Sequence, residues 1–185
     1  DMLNPVHFGM MLLKEGHADG LVCGVVMNYQ DTIRPALQII GLREGVRVTA
    51  GMYMILQKER TLFFADTTVN IEPSPEKLAE IALLTAAEVR RFGLVPRVAM
   101  LSFSNFGSNS HPLALKVREA TRILHEKAPD LIVDGEMQVD VAVDPTLASS
   151  EFPFASIQGD ANVLIFPSLE SANVAYKLMQ RIGGA

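Results

Sequence analysis

The chain has 185 residues, of which 49% are hydrophobic and 20% are charged, and it carries a net charge of −5 at pH 7. This length accommodates one domain with a sizeable core. The acidic balance argues against a nucleic-acid-binding face, the single cysteine excludes an intrachain disulfide, and no apolar run reaches the roughly 20 residues of a membrane span.

The chain begins with a predicted helix. Asn4 as an N-cap before Pro5 favours a helix over residues 4–15. The apolar run within residues 20–24 indicates a short buried strand. We interpret Cys23, in that run, as a small core residue rather than as a nucleophile.

Residues 31–40 are typical of a second helix, closed by Gly41. Pro35 is compatible with that helix only within its first turn. Arg34 then lies in the same turn, where a positive charge is unfavourable unless an anionic ligand or a carboxylate compensates it. Exposure to solvent explains Arg34 equally well, so both interpretations stay open.

A β-hairpin is predicted next, with strands over residues 46–56 and 61–65 around a polar turn. Asp66 and Asn70 follow the second strand. A carboxylate and an amide at a strand end could orient a substrate, but capping of the loop and of the next helix is the favoured interpretation.

The rest of the chain alternates helices with short, continuous apolar strands. Such alternation predicts an α/β fold, a three-layer mixed sheet with helices on both faces, in one domain over residues 1–185. The predicted helices cover residues 74–92, 112–127, 139–148 and 169–181, and the predicted strands cover residues 98–101, 131–133 and 162–166.

Two carboxylates, Asp134 and Glu136, flank Gly135 after one of these strands. They could form a metal-binding or acid–base pair, but a turn with charged surface residues is the favoured interpretation. No histidine, cysteine or carboxylate spacing is typical of zinc, so we expect no metal site.

The most informative segment is the polar loop over residues 101–109, between a predicted strand and a predicted helix. Open α/β sheets bind ligands at such positions. Backbone N–H groups, hydroxyls and the following helix N-terminus all suit an anion. An ordinary strand-to-helix connection explains the same composition, and neither a dinucleotide fingerprint nor a nucleophile elbow accompanies it.

Six collinear segments together resemble the phosphate acetyl/butyryltransferase family along essentially the whole chain. They are DGLVCG at 19–24, DTIRPALQII at 31–40, PRVAMLSFS at 96–104, KVREAT at 116–121, DGEMQ at 134–138 and NVLIFP at 162–167. The resemblance implies a fold like that of isocitrate and isopropylmalate dehydrogenases, corresponding mainly to the second domain of a phosphotransacetylase, with the cleft between two domains. It also implies transfer of an acetyl group between phosphate and coenzyme A without a metal in the chemical step.

Two segments depart from active transferases. The loop there resembles Ser-Tyr-Ser-Thr-x-Gly-Ser, where this chain has SFSNFGS at 102–108, and the segment before the long helix resembles Asn-Pro-x-Pro, where this chain has NIEP at 70–73. SNFGS, together with AEVRRFG at 87–93, is most similar to the transferase-like C-terminal domain of hybrid NADP-dependent malic enzymes. That resemblance implies a regulatory domain that binds acetyl-CoA; an active phosphate acetyltransferase and an oligomerisation module are the alternatives.

The resemblance also implies the residues that meet the ligand. The loop would donate hydroxyl and backbone hydrogen bonds to acetyl-CoA or a related small anion, and Arg34 would supply positive charge. No catalytic residue is expected in this segment. The expected contacts are Ser104, Asn105, Gly107 and Ser108 in the loop, with Arg34, Thr49, Tyr53 and Asn70 as neighbours.

The remaining expectations concern context. The chain lacks the downstream Ser-Arg-Gly motif of active transferases, so we expect a fragment of a larger protein that does not catalyse acyl transfer alone. We expect no cofactor in it, with NADP and a divalent metal only in a malic domain elsewhere. We also expect a homo-oligomer in the cytoplasm, without a nucleic-acid or membrane partner.

Overall fold

The computed structural model describes residues 3–185. The chain divides into two compact units: the first ends at Arg47 and the second comprises Val48–Ala185. The sequence predicted a single domain over residues 1–185, and this division into two units does not test that prediction. No helix within residues 3–185 combines the length and the apolar character needed to cross a bilayer.

The first unit contains two helices that pack on each other, α1 (Pro5–Lys14) and α2 (Tyr29–Ile39). The predicted start of α1 is confirmed, because the Asn4 side chain accepts hydrogen bonds from the N–H groups of Val6 and His7. These bonds satisfy amides that have no partner within the helix.

Three predictions for the first unit are wrong. Residues 20–24 form no strand, and Cys23 is exposed rather than a core residue. The strands of the described residues all lie in the second unit, so this apolar run forms no strand pair. The second helix starts at Tyr29, which places Arg34 and Pro35 beyond its first turn. Pro35 is buried within the helix, although it lacks the N–H that an interior position normally donates.

The second unit is built on a five-stranded mixed sheet. The strands are β1 (Met52–Leu56), β2 (Thr61–Ala65), β3 (Arg97–Leu101), β4 (Ile132–Met137) and β5 (Val163–Ile165). The predicted hairpin is confirmed as the antiparallel pair β1–β2, although its first strand begins at Met52 rather than at residue 46. The pairs β2–β5, β5–β3 and β3–β4 are parallel, and the sheet order is β1-β2-β5-β3-β4.

Five further helices belong to this unit. Residues 139–148 were predicted as one helix, but the structure has two helices there, because the Asp144 side chain caps a new helix that starts at Pro145. The helices are α3 (Pro75–Arg91), α4 (Pro112–Lys127), α5 (Val139–Val143), α6 (Pro145–Glu151) and α7 (Leu169–Arg181).

Helices cover both faces of the sheet, as predicted. Neighbouring residues of β2 point to opposite faces: Phe63 packs in one cluster with α3 and α4, and Phe64 packs in another with α7. The predicted packing of α7 on the sheet is confirmed. The corresponding prediction for α1 stays a prediction, since α1 belongs to the first unit.

Candidate functional site

The chain leaves the neighbouring strands β5 and β3 toward opposite faces of the sheet. These parallel neighbours are followed by helices on opposite faces, since α7 follows β5 and α4 follows β3. An open α/β sheet leaves a crevice at the carboxyl ends of two such strands, and ligands bind there.

A cleft of about 330 Å³ lies at this position, and we call it the switch-point cleft. Its walls come from the segments after β2, β3 and β5 and from the first turns of α4 and α7. None of the eight predicted contact residues lines it, although two of their immediate neighbours, Ile71 and Phe103, do. The lining residues are Ile71, Glu72, Ser102, Phe103, Leu113, Lys116, Pro167, Ser168 and Glu170.

Lys116 is the cation of this cleft. Its Nζ atom donates a hydrogen bond to the carbonyl oxygen of Pro167 at 2.8 Å, and no carboxylate within residues 3–185 forms an ion pair with it. Burial lowers the pKa of the Lys116 ammonium, and the charge of Glu72 opposes that shift. Sequence reasoning missed Lys116, although it begins the KVREAT segment.

The predicted loop, which we call the site loop (residues 102–109), is internally satisfied. The N–H groups of residues 104–109 all have acceptors within the protein. Ser104 is fully buried, and its hydroxyl lies 3.1 Å from that of Ser108. In this conformation the backbone amides of Gly107 and Asn109 are therefore not free to bind an anion, and the Ser104 hydroxyl faces inward.

Asn105 also holds the loop together, because its side-chain oxygen accepts a hydrogen bond from the Gln138 N–H at 2.6 Å. Gln138 in turn donates its side-chain amide to the Phe103 carbonyl oxygen at 2.7 Å. Of the predicted loop contacts, Gly107 and Ser108 are exposed and Asn105 is half-buried. Ligand contact by these residues stays a prediction.

Glu136 lies at the centre of this arrangement. The interpretation of residues 134–136 as a charged surface turn is wrong, because all three belong to β4 and Glu136 is fully buried. Met100 pairs with Gly135 and Leu101 with Met137, so Glu136 is the extra residue of a β-bulge.

The buried carboxylate accepts four hydrogen bonds. Oε1 accepts from the Ser104 hydroxyl at 3.0 Å, the Gly107 N–H at 2.8 Å and Arg118 Nη2 at 2.9 Å, and Oε2 accepts from Arg118 Nε at 3.0 Å. Burial by itself raises the pKa of Glu136, but the bonds from Arg118, Gly107 and Ser104 together hold that pKa below its usual value.

Two other predicted contact residues, Thr49 and Asn70, meet near the segment that follows the carboxyl end of β2. Asn70 donates its side-chain amide to the Thr49 carbonyl oxygen at 2.7 Å and to the Asp66 carboxylate. Asp66 is buried and also accepts backbone N–H groups, including that of Gly51 at 2.9 Å. This geometry favours the capping interpretation of Asp66 and Asn70.

The remaining two predicted contacts belong to different units, Tyr53 to the second and Arg34 to the first. Tyr53 is on β1, separated from β3 by two strands, and its ring centroid lies 4.5 Å from that of Tyr176. Burial, and then Tyr176, raise the pKa of the Tyr53 phenol. Arg34 is an exposed residue of α2 in the first unit. No group of three or more histidine, cysteine or carboxylate side chains within the described residues could hold a metal ion.

Comparison with known proteins identifies the family. The model of the phosphate acetyl/butaryl transferase family matches residues 1–185. A phosphate acetyltransferase of Bacillus subtilis is 47% identical over 98% of the chain and 56% of its own length. Phosphotransacetylase structures from Staphylococcus aureus and Streptococcus pyogenes are each 44% identical, with TM-scores of 0.89 and 0.91, over 97% and 96% of the chain.

These findings correct one expectation and confirm another. The expectation of a regulatory, acetyl-CoA-sensing domain of an NADP-dependent malic enzyme is wrong, because relatives at 44–47% identity over essentially the whole chain are phosphate acetyltransferases. The chain spans a little over half the length of these relatives, 56–58%. The broader resemblance is confirmed: the chain belongs to the phosphate acetyl/butaryl transferase family.

Proposed function

We propose that this chain is part of a phosphate acetyltransferase, which transfers an acetyl group between acetyl phosphate and coenzyme A. The observation that carries the proposal is the 47% identity to the Bacillus subtilis phosphate acetyltransferase over 98% of the chain. Acetyl-CoA is the ligand of the proposed site, and a two-domain, dehydrogenase-like arrangement, a homo-oligomeric assembly and a cytoplasmic location belong to the same proposal.

A cation beside the phosphate favours this chemistry, and Lys116 supplies one in the switch-point cleft, whose lining also carries Glu72 and Glu170. Transfer to coenzyme A forms a carbon–sulfur bond as the thiol loses its proton, and breaks the carbon–oxygen bond to phosphate. The phosphate leaves with the electron pair of that bond and takes up a proton to give hydrogen phosphate, so negative charge accumulates on it as it departs. Lys116 lies in the cleft without an ion-pair partner within the described residues. An ammonium in such a position forms charge-assisted hydrogen bonds to phosphate oxygens.

The test is thioester formation by the full-length protein from acetyl phosphate and coenzyme A. We expect activity in the unmodified protein, and Lys116→Met to raise the KM for acetyl phosphate about ten-fold, the usual effect of losing one charged contact. Lys127→Met, at the exposed end of the same helix, is the matched control. Absence of transfer by the unmodified protein would refute the proposed function and favour an oligomerisation module.

A Lys116→Met protein with an unchanged KM would place the phosphate outside the switch-point cleft. Circular dichroism and thermal unfolding of both lysine variants separate this outcome from a folding defect. The Lys116–Pro167 hydrogen bond is lost in the same variant, so a large drop in the melting temperature would assign Lys116 a structural role instead.

A further inference from the structure

The β-bulge at Glu136 determines the direction in which the buried Glu136 carboxylate points. Without an extra residue, Val133 and Met137 would share one face of β4, because side chains alternate with a period of two. Val133 instead packs in the cluster below α3 and α4, and Met137 packs in the cluster on the opposite face. Bulges of this kind re-aim a side chain and occur next to active sites.

The Glu136 carboxylate and the Arg118 guanidinium hold the site loop at three points. The carboxylate accepts from Ser104 at the start of the loop and from the Gly107 N–H in its middle. Arg118 Nη2 donates to the Asn109 carbonyl oxygen, 3.2 Å away at the end of the loop, as well as to the carboxylate. The Ser104 hydroxyl also accepts the Asn109 N–H at 3.1 Å.

The same strand end sets the part of the loop that lines the switch-point cleft. The Ser102 N–H donates to the Met137 carbonyl oxygen at 2.8 Å, and the Phe103 carbonyl oxygen accepts from Gln138 at 2.7 Å. The N–H groups of Ser102 and of residues 104–109 thus all have acceptors within the protein. The Glu136 carboxylate of this ion pair is buried while the Arg118 guanidinium is partly exposed, and an ion pair with a buried member can favour one arrangement of the chain over others.

We infer that Glu136 and Arg118 are positioning residues for the acyl-transfer site: they hold residues 104–109 of the site loop, and so support the adjoining cleft residues Ser102 and Phe103 before a ligand arrives. The inference rests on the proposed function. Neither residue lines the cleft, so neither is assigned contact with the substrate. We call the Glu136–Arg118 pair the clamp. If the clamp did not order the site loop in advance, the free energy of ordering the loop would be subtracted from the free energy of substrate binding and would lower the apparent affinity.

The test compares Glu136→Gln with Glu119→Gln in the full-length protein. Both variants neutralise a glutamate that is ion-paired with an arginine of α4, but the Glu119–Arg122 pair lies on the surface. We expect Glu136→Gln to raise the KM for acetyl phosphate or coenzyme A about ten-fold while kcat changes less than about three-fold, since the bound state re-forms the loop. Glu119→Gln should leave both constants unchanged.

Hydrogen–deuterium exchange supplies a readout that does not depend on activity. We expect the peptide covering residues 102–111 to exchange about ten-fold faster in Glu136→Gln while exchange within α4 is unchanged, and we expect saturating acetyl phosphate to restore the protection of that peptide. Ser104→Ala keeps the Arg118–Glu136 pair but removes the loop hydroxyl, and should loosen the same peptide. This second variant tests the clamp if Glu136→Gln does not fold.

The outcomes separate the two proposals. Faster exchange of the loop with a raised KM supports the clamp. Unchanged exchange in both variants, or a loss confined to kcat, overturns it. If the unmodified protein transfers no acetyl group while Glu136→Gln still loosens the loop, the proposed function fails and the structural part of the clamp stands.

Discussion

Arg118 contacts both carboxylate oxygens of Glu136, with Nε 3.0 Å from Oε2 and Nη2 2.9 Å from Oε1. The two partners differ in their contact with water, because 41% of the Arg118 side chain is exposed but only 1% of the Glu136 side chain is. The carboxylate therefore depends on its protein donors, whereas the guanidinium can be hydrated. Variants of the two residues should accordingly behave differently.

The first prediction concerns acid sensitivity. The pKa of Glu136 is held below its usual value, so its contribution to stability is fully present above the unfolded pKa of about 4.3 and is lost as the pH falls through the folded pKa. We expect Glu136→Gln to lower the free energy of unfolding by about 2 kcal/mol at neutral pH, as for loss of a charged hydrogen bond. This deficit should shrink below about pH 4.

Urea unfolding of the unmodified full-length protein and of Glu136→Gln at a series of pH values measures how the difference in unfolding free energy depends on pH. Glu76 and Glu119 also have lowered pKa values, but both remain in the variant and cancel in the difference. A deficit that stays constant down to about pH 3 would contradict the prediction.

The second prediction is that Arg118→Met reverses the pH dependence of Glu136. Burial is the largest influence on this carboxyl group and raises its pKa, and Arg118 is the first of the donors that oppose it. Without Arg118 we expect the folded pKa to rise above about 4.3. A raised folded pKa means that stability is lower at neutral pH and recovers as the pH falls toward the unfolded pKa.

Unfolding curves between neutral pH and about pH 4 check the sign of this slope. Arg122→Met is the matched control, since Arg122 lies one turn further along α4 and its ion-pair partners within residues 3–185, Glu119 and Glu126, are exposed. Equal slopes for the two variants would show that Glu136 does not depend on Arg118.

The sequence was sufficient for most of the fold because the elements carry local signals. Ser74 and Asn4 precede prolines at helix starts, and both cap their helices in the structure. The alternation of strands and helices predicted the mixed sheet covered on both faces. Two segments are misassigned: residues 20–24 combine apolar residues with glycine, and residues 134–136 place a glycine between two carboxylates. Whether such a segment becomes a strand depends on whether a neighbouring strand is available to pair with it, and amino-acid composition carries no information about that neighbour.

The candidate site was less predictable for a related reason. Residues 102–109 were correctly singled out as a polar loop at the end of β3, but their hydroxyls and amides suit internal acceptors as well as a ligand. The deciding partner, Glu136, comes from a different strand and points at the loop only because of a bulge. Lys116 likewise reaches the switch-point cleft through the packing of α4, which periodicity alone does not locate.

The third prediction concerns the glycine that precedes the buried carboxylate. Gly135 has a φ of 139°, and a Cβ atom there would lie 2.6 Å from the Met100 carbonyl oxygen. We expect Gly135→Ala to lower the free energy of unfolding by about 2 kcal/mol or more, because both the backbone conformation and the close approach exclude a side chain.

Gly20→Ala is the control for this change. A Cβ atom at Gly20 would meet no other described atom within 4 Å, and the φ of Gly20 lies outside the left-handed region. Alanine there should therefore change stability by less than about 1 kcal/mol. Urea unfolding of both variants measures the difference. A Gly135→Ala protein as stable as Gly20→Ala would show that β4 can shift away from β3 at the bulge.

The last prediction concerns Asp66, which organises the segment that carries Ile71 and Glu72 to the switch-point cleft. Its Oδ1 atom accepts three backbone N–H groups at 2.9–3.1 Å, and its Oδ2 atom accepts the Asn70 N–H at 2.7 Å. Asp66→Ala removes every acceptor, and we expect it to cost about 3 kcal/mol of unfolding free energy.

Asp66→Asn should cost about half as much, because one oxygen can still accept the three N–H groups while the new amide meets the Asn70 N–H unfavourably. Asp144→Ala removes an exposed helix cap with two acceptor bonds and should cost only about 1 kcal/mol. Urea unfolding gives the three values, and hydrogen–deuterium exchange over residues 66–72 locates the change. Equal costs for Asp66→Asn and Asp66→Ala would mean that the charge, rather than the number of acceptors, holds this segment in place.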